Sequence, residues 1–263
     1  MAEDHGNPPE VETQQVVRWI IDPTTLHTPA VPLDQLERPI RPVLRPPVPI
    51  LTVLDDGTFA NGEHFRLRGD TFSIGRTDGN LVIPCDRTLS GSHAEIRRVE
   101  HRGQVEWLLV DRDTANGTFV RINSAIFFVD TIVILGSRRF RLVLPFAEFR
   151  SQTDESTQLL EKAAAPADLW PTLTEAGTSN NALKFPLRQQ RVTIGRIGGG
   201  CDISIDDPHL ASHHATIARE TNGAWRIRPE KTSNGVWINV RSVKLTPHCY
   251  FRCGEQFFRF VIP

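Results

Sequence analysis

The chain has 263 residues, more than one average domain of roughly 150 and fewer than two. Its 39% hydrophobic and 23% charged residues fit a folded globular chain rather than a disordered one. Thirty-one acidic against 30 basic residues leave a net charge of −1, which excludes the bulk basic surplus of general nucleic-acid or anionic-membrane binders. Any ligand must be recognised by locally placed charge.

The N-terminal segment MAEDHGNPPEVE is acidic and has no hydrophobic core, so it does not read as a secretory signal, and the expected compartment is the cytoplasm. The longest apolar run, from Ala125 to Leu135, is broken by Asp130 and is too short to span a bilayer. Cysteines at 85, 201, 249 and 253 form no disulfide framework for a chain of this length. Residues 1–48 read as a disordered Pro-rich tail. Eight prolines between positions 23 and 49 remove amide donors and push the chain toward polyproline-like extension, above all in RPIRPVLRPPVP. Within the tail, Val16–Ile21 around Trp19 is a short apolar patch, suited to a strand or a small docking segment.

From Ile50 the sequence becomes short, alternating, β-branched and aromatic segments between turn residues: LTVL, HFRLR, TFSIG, AEIRRV, VEWLLV, GTFVRI, IVIL and RFRLVLP. That pattern predicts strands of an antiparallel sandwich over 49–148. Residues 149–167 read as a polar, then Ala-rich, connector with room for a turn or two of helix. Strand-like text resumes over 168–263.

The second half repeats the first. Ile74-Gly75-Arg76 recurs as Ile194-Gly195-Arg196 at an offset of 120, and His93-Ala94 as His214-Ala215 at 121. Asn116-Gly117 recurs as Asn234-Gly235, and Phe140 as Phe258, both at 118. Four ordered landmarks that hold one offset within three residues mark a duplication.

In each copy Gly-Arg is followed by His-Ala and then Asn-Gly. This ordered set resembles the forkhead-associated (FHA) domain, whose pattern runs Gly-Arg, Ser-Arg-x-His-Ala, then Ser/Thr-x-Asn-Gly-Thr. The resemblance covers both repeats but neither the tail nor the connector. It implies an all-β chain of two tandem antiparallel sandwiches of the FHA/SMAD-like type, eleven strands each, with a Pro-rich tail. It also implies loops at one end of each sandwich that bind phosphothreonine peptides. Arg76 and Arg196 are then the phosphate ligands, with Ser90, Ser212 and Ser233 as loop hydroxyls and Asn116 and Asn234 facing the peptide. Gly75, His93, Gly117, Gly195, His214 and Gly235 take structural roles.

The chemistry suits those residue types. A guanidinium offers a phosphate dianion a fixed fork of donors. An asparagine can both accept from and donate to an extended main chain, so it reads the peptide while the arginine reads the phosphate. Blander readings stand beside these. Taken singly, Arg76 and Arg196 are solvated surface arginines, and Asn-Gly is a tight-turn dipeptide whether or not it meets a ligand. His209, His213 and His214 lie close together, but alternation is expected to put the neighbours His213 and His214 on opposite faces, and no cysteine or carboxylate falls at ligand spacing. Cys249 and Cys253 read as packing. Gly198-Gly199-Gly200 lacks the Lys-Ser/Thr of a P-loop and reads as a loop beside the site. There is no nucleophile elbow, kinase signature or paired-carboxylate motif, so an enzyme is not expected, and neither a cofactor nor a metal.

The copies depart from the pattern at different positions. The first keeps Ser90 three residues before His93 but has Gly91 after it and Ala115 before Asn116. The second has Ala211 in place of that serine, with Ser212 next, and keeps Ser233 before Asn234. Each retains its Arg and Asn and one of two expected hydroxyls. A hydrogen bond to a charged group is worth roughly 1.5–3 kcal/mol, so both sites are expected to be weakened, the first less. The partners expected are a phosphothreonine protein or peptide, with Thr13, Thr24, Thr25 and Thr28 making the chain's own tail one candidate, and a Ser/Thr kinase. The competing expectation is a phosphorylation-independent scaffold with degenerate FHA sites.

Overall fold

The computed structural model describes residues 47–54, 62–127, 131–144, 170–177 and 182–263. The expectations for the tail up to residue 46, its threonines and Trp19, and for the connector 149–167, lie outside the described residues. Those described are all-β, with no helix among them and ten strands in each repeat, against the eleven that the resemblance implies.

The first repeat runs β1 (Ile50–Leu54), β2 (Glu63–Arg66), β3 (Thr71–Gly75), β4 (Leu81–Val82), β5 (Ala94–His101), β6 (Gln104–Asp111), β7 (Thr118–Ile122), β8 (Ala125–Ile126), β9 (Ile132–Leu135) and β10 (Arg138–Val143). The second repeats it strand for strand: β11 (Thr172–Glu175), β12 (Lys184–Pro186), β13 (Arg191–Arg196), β14 (Ile203–Ile205), β15 (Ala215–Arg219), β16 (Trp225–Pro229), β17 (Val236–Val240), β18 (Ser242–Lys244), β19 (Cys249–Cys253) and β20 (Gln256–Val261). Alternation sets the buried face. In β5, Ala94 and Ile96 point inward, and in β6 Trp107 and Leu109 do the same.

One sheet has ten strands in the order β12-β11-β10-β9-β17-β7-β19-β20-β1-β2, which reads the same from either end once the repeats are exchanged. Two five-stranded sheets, β14-β13-β15-β16-β8 and β18-β6-β5-β3-β4, are related in the same way. All ladders are antiparallel except the short β3–β4 and β13–β14 pairs. The expected sandwich architecture is thus present, with one parallel pair in each repeat.

The strands after β7 and after β17 have changed places. β20 pairs with β1, β19 with β7 and β18 with β6, whereas β10 pairs with β11, β9 with β17 and β8 with β16. The cores follow the pairing. One joins Leu51, Ile74, Ile96 and Leu109 to Phe251, Phe258 and Phe260. The other joins Val133, Leu135 and Phe140 to Leu173, Ile194, Ile217, Ile227 and Val236. The connections explain how. Only Asn123 and Ser124 separate β7 from β8, and only Arg241 separates β17 from β18, so each chain runs straight on into the opposite sandwich. A third cluster of Phe119, Ile134 and Trp237 packs where the halves of the large sheet meet, with the Trp237 and Phe257 rings edge-on at 5.4 Å.

Candidate functional site

Three loops of the first repeat converge at the end of one sandwich: the turn after β3, the segment from β4 to β5, and the turn before β7. Gly75 closes β3 where a Cβ would overlap the carbonyl oxygens of Gly91 and Asp78, so only glycine lets the loops approach. Arg76 therefore leaves the sheet with its amide bound to Ser90 O at 2.9 Å, and the Thr77 and Asp78 amides both donate to Gly91 O. Asn116 reaches the same loop from the other side, its Nδ2 donating to Thr88 O at 2.8 Å. Arg76, Ser90 and Asn116 are thus brought to one place through the 88–91 segment. None of the three is buried.

His93 is fully buried beneath them. Its Nδ1 accepts from Ser90 N at 3.0 Å, which leaves the proton on Nε2, directed at Gly117 O at 3.3 Å. Burial pushes its pKa below the usual histidine value, against a smaller upward pull from the Gly117 carbonyl. Thr114 ties the last loop down: its hydroxyl donates to Asp111 Oδ2 at 2.8 Å and accepts from Gly117 N. That hydroxyl is occupied in the scaffold and does not replace the one missing at Ala115.

The second repeat builds the same arrangement. A Cβ at Gly195 would overlap Ser212 O, and Arg196 N donates to Ala211 O at 2.9 Å. Asn234 Nδ2 donates to His209 O at 2.8 Å. His214, fully buried, accepts from Ala211 N through Nδ1 and meets Gly235 O at 3.0 Å through Nε2. Ser212, Ser233, Asn234 and Arg196 are all exposed, so both serine hydroxyls of this copy lie on the open rim. Neither Arg76 nor Arg196 has a side-chain partner among the described residues. His213, in the bend before β15, is exposed, whereas His214 is fully buried. Burial pushes the Cys249 thiol up to about 11 and that of Cys253 further, which keeps both protonated.

Both sites are held by groups that the sequence reading passed over. Asp86 sits at the base of the loop between β4 and β5, where it accepts from Thr88 N and, across the strand exchange, from Glu255 N at 2.9 Å. Asp207 does the same for the second loop, accepting from His209 N and from Ser137. For both carboxyls burial pushes the pKa up, and the hydrogen bonds together outweigh it and hold the acid below its usual value. The hairpins that supply those donors turn at Gly254 and Gly136, both at positive φ. A Cβ at either would come within 2.7 Å of the Asp86 or Asp207 carboxylate respectively. Two arginines add further braces: Arg121 Nη2 donates to Ser233 O at 2.9 Å between the repeats, and Arg139 Nη1 to Asn116 O at 3.1 Å within the first repeat, across the exchanged strands. A signal for the aspartates was present, since Asp86 and Asp207 stand 121 apart, the offset of the two histidines.

The FHA domain family model matches residues 72–136 and 192–252. Among solved structures, full-length yeast Pml1p is 23% identical over 28% of this chain and 57% of its own length, with a TM-score of 0.26. The FHA domain of CT664 protein from Chlamydia trachomatis is 12% identical, covering 81% of this chain and 96% of that one, with a TM-score of 0.31. Mycobacterium tuberculosis EmbR, in complex with a low-affinity phosphopeptide, is 28% identical over 30% of this chain and 22% of its own, with a TM-score of 0.19. No curated protein sequence matches the chain. Among the described residues no helix is long and apolar enough to cross a membrane.

Proposed function

We infer a binding function from family and site together: the chain belongs to the FHA domain family, with a copy in each matched stretch, and its two loop sites suit a phosphothreonine peptide. In this reading it is a non-catalytic cytoplasmic adaptor that acts downstream of a Ser/Thr kinase. The observation that carries it is the pair of guanidinium groups, Arg76 and Arg196, each following a strand whose exit is tied to the neighbouring loop through the arginine amide, and without a side-chain partner among the described residues. A phosphate dianion satisfies such a group with paired, charge-assisted hydrogen bonds. Ser90 in the first copy, and Ser212 with Ser233 in the second, add hydroxyl donors. Asn116 and Asn234 each spend one amide hydrogen on the opposite loop and keep the carbonyl oxygen and the second hydrogen for a ligand's main chain.

Titration of matched phosphothreonine and unphosphorylated peptides against the full chain, Arg76→Ala, Arg196→Ala and the double variant tests this. Preference for the phosphorylated form is expected, reduced in each single variant and abolished in the double one. Equal binding of both forms overturns it in favour of a phosphorylation-independent scaffold.

A further inference from the structure

The two candidate sites open at opposite ends of one strand pair. β7 and β17 are antiparallel neighbours, with Thr118 opposite Val240 and Ile122 opposite Val236. Asn116 lies two residues before β7 begins, and Asn234 two residues before β17. Antiparallel pairing places those two starting points at opposite ends of the ladder. Counted along it, the asparagines are about eight residue steps apart, or about 26 Å at about 3.3 Å per residue. The rest of each site stays with its asparagine, because Asn116 is bound to Thr88 O and Asn234 to His209 O.

The separation is set by a β-ladder and not by the connector. Arg121, on β7, holds the Ser233 carbonyl at one end, while Arg139, on β10, holds the Asn116 carbonyl at the other. We propose that this chain bridges two phosphothreonine segments, on two separate phosphorylated chains or far apart on one, and does not clamp a closely spaced pair. The proposal rests on the phosphothreonine reading above. An extended peptide covers about 3.4 Å per residue, so at least about eight residues are needed for the straight line between sites. That line runs through the sheet, and the route around it is longer. Neighbouring phosphothreonines therefore gain nothing from the second site, whereas widely spaced ones gain an effective concentration.

The test uses the full chain and two labelled phosphothreonine peptides, one selected on Arg196→Ala, which leaves the first site, and one on Arg76→Ala, which leaves the second. Calorimetry is expected to give two peptides per chain, and a donor–acceptor mixture to show energy transfer. Arg76→Gln and Arg196→Gln should each bind one peptide and show no transfer. A doubly phosphorylated peptide with four residues between its phosphothreonines should bind no tighter than a singly phosphorylated one, and one with a 25-residue spacer at least tenfold tighter. One peptide per chain, or tenfold tightening by the four-residue spacer that either Gln variant removes, overturns the bridge and leaves the phosphate reading intact. Failure of every peptide to prefer its phosphorylated form overturns both.

Discussion

Ser137 donates to Asp207 through both its amide and its hydroxyl, each at 2.7 Å, and so joins a hairpin of the first repeat to the loop between β14 and β15 of the second. Glu255 and Asp86 repeat the relationship in the other direction. Each candidate site is therefore assembled from both halves of the chain. Removal of the Asp207 carboxylate strands two Ser137 donors and the His209 amide in a region where the aspartate itself is 2% exposed. Asp207→Ala is expected to lower unfolding free energy by about 2–4 kcal/mol and Asp207→Asn by less, as read from urea midpoints. An unchanged midpoint in the alanine variant would sink the brace.

Arg121 supports the second site without belonging to it. Its guanidinium fixes the Thr232 and Ser233 carbonyls, so the loop before Asn234 loosens without it. If the binding loop loses the equivalent of one hydrogen bond, at about 0.5–1.5 kcal/mol, Arg121→Ala weakens peptide binding at the second site by about two- to twelvefold. The first site, isolated by Arg196→Ala, should be unaffected. Equal losses at both sites would mean that the substitution disturbs the sheet as a whole.

The buried histidines make stability pH-dependent, with a definite sign. His93 and His214 each use Nδ1 as an acceptor, which protonation removes, and burial holds both pKa values below the unfolded value of about 6.5. Between the folded and unfolded values the unfolded chain binds more protons, so stability rises with pH there and falls on acidification below about 6.5. The limiting slope is about 1.4 kcal/mol per pH unit for each histidine. Asp86 and Asp207, also depressed, extend the loss to lower pH. Unfolding free energy measured from pH 7 to 5 should fall in the wild type, and about half as steeply in His93→Gln. A flat profile would refute the buried neutral state.

Much of this was legible in the sequence, and the rest was hidden for identifiable reasons. Strand text, duplication and the Gly-Arg, His-Ala and Asn-Gly landmarks lie where the alternation and spacing put them. The strand exchange does not show in the sequence. Periodicity says which face of Val133 or Phe251 is buried but not which sandwich it completes, and the repeats carry interchangeable patterns in β9 and β19. Nor does Ala115 reveal what the neighbouring hydroxyl does: Thr114 is committed to Asp111 and Gly117, while Thr118, fully buried, also donates to Asp111 at 2.6 Å. The second copy drops that device, with Pro229 opposite Ala215 where the first has Asp111 opposite Ala94, and Val236 in place of Thr118.

The exchange itself yields the sharpest stability prediction. β1 and β7 depend on β19 and β20 for their ladder partners, and β11 and β17 depend on β9 and β10. If the chain is cut within 149–167 by a protease site inserted there, each fragment still holds strands that complete the other's core, and the β7–β17 ladder still joins them. The nicked protein is expected to elute at the size of the intact chain and to separate only in denaturant. Opening it requires exposure of Phe140, Phe251, Phe258 and Phe260, each 0% exposed, and burial of one such side chain is worth about 1.5–3 kcal/mol. Two fragments that part in native buffer on size exclusion would show that each repeat closes on its own strands and that the exchanged pairing is not the solution state.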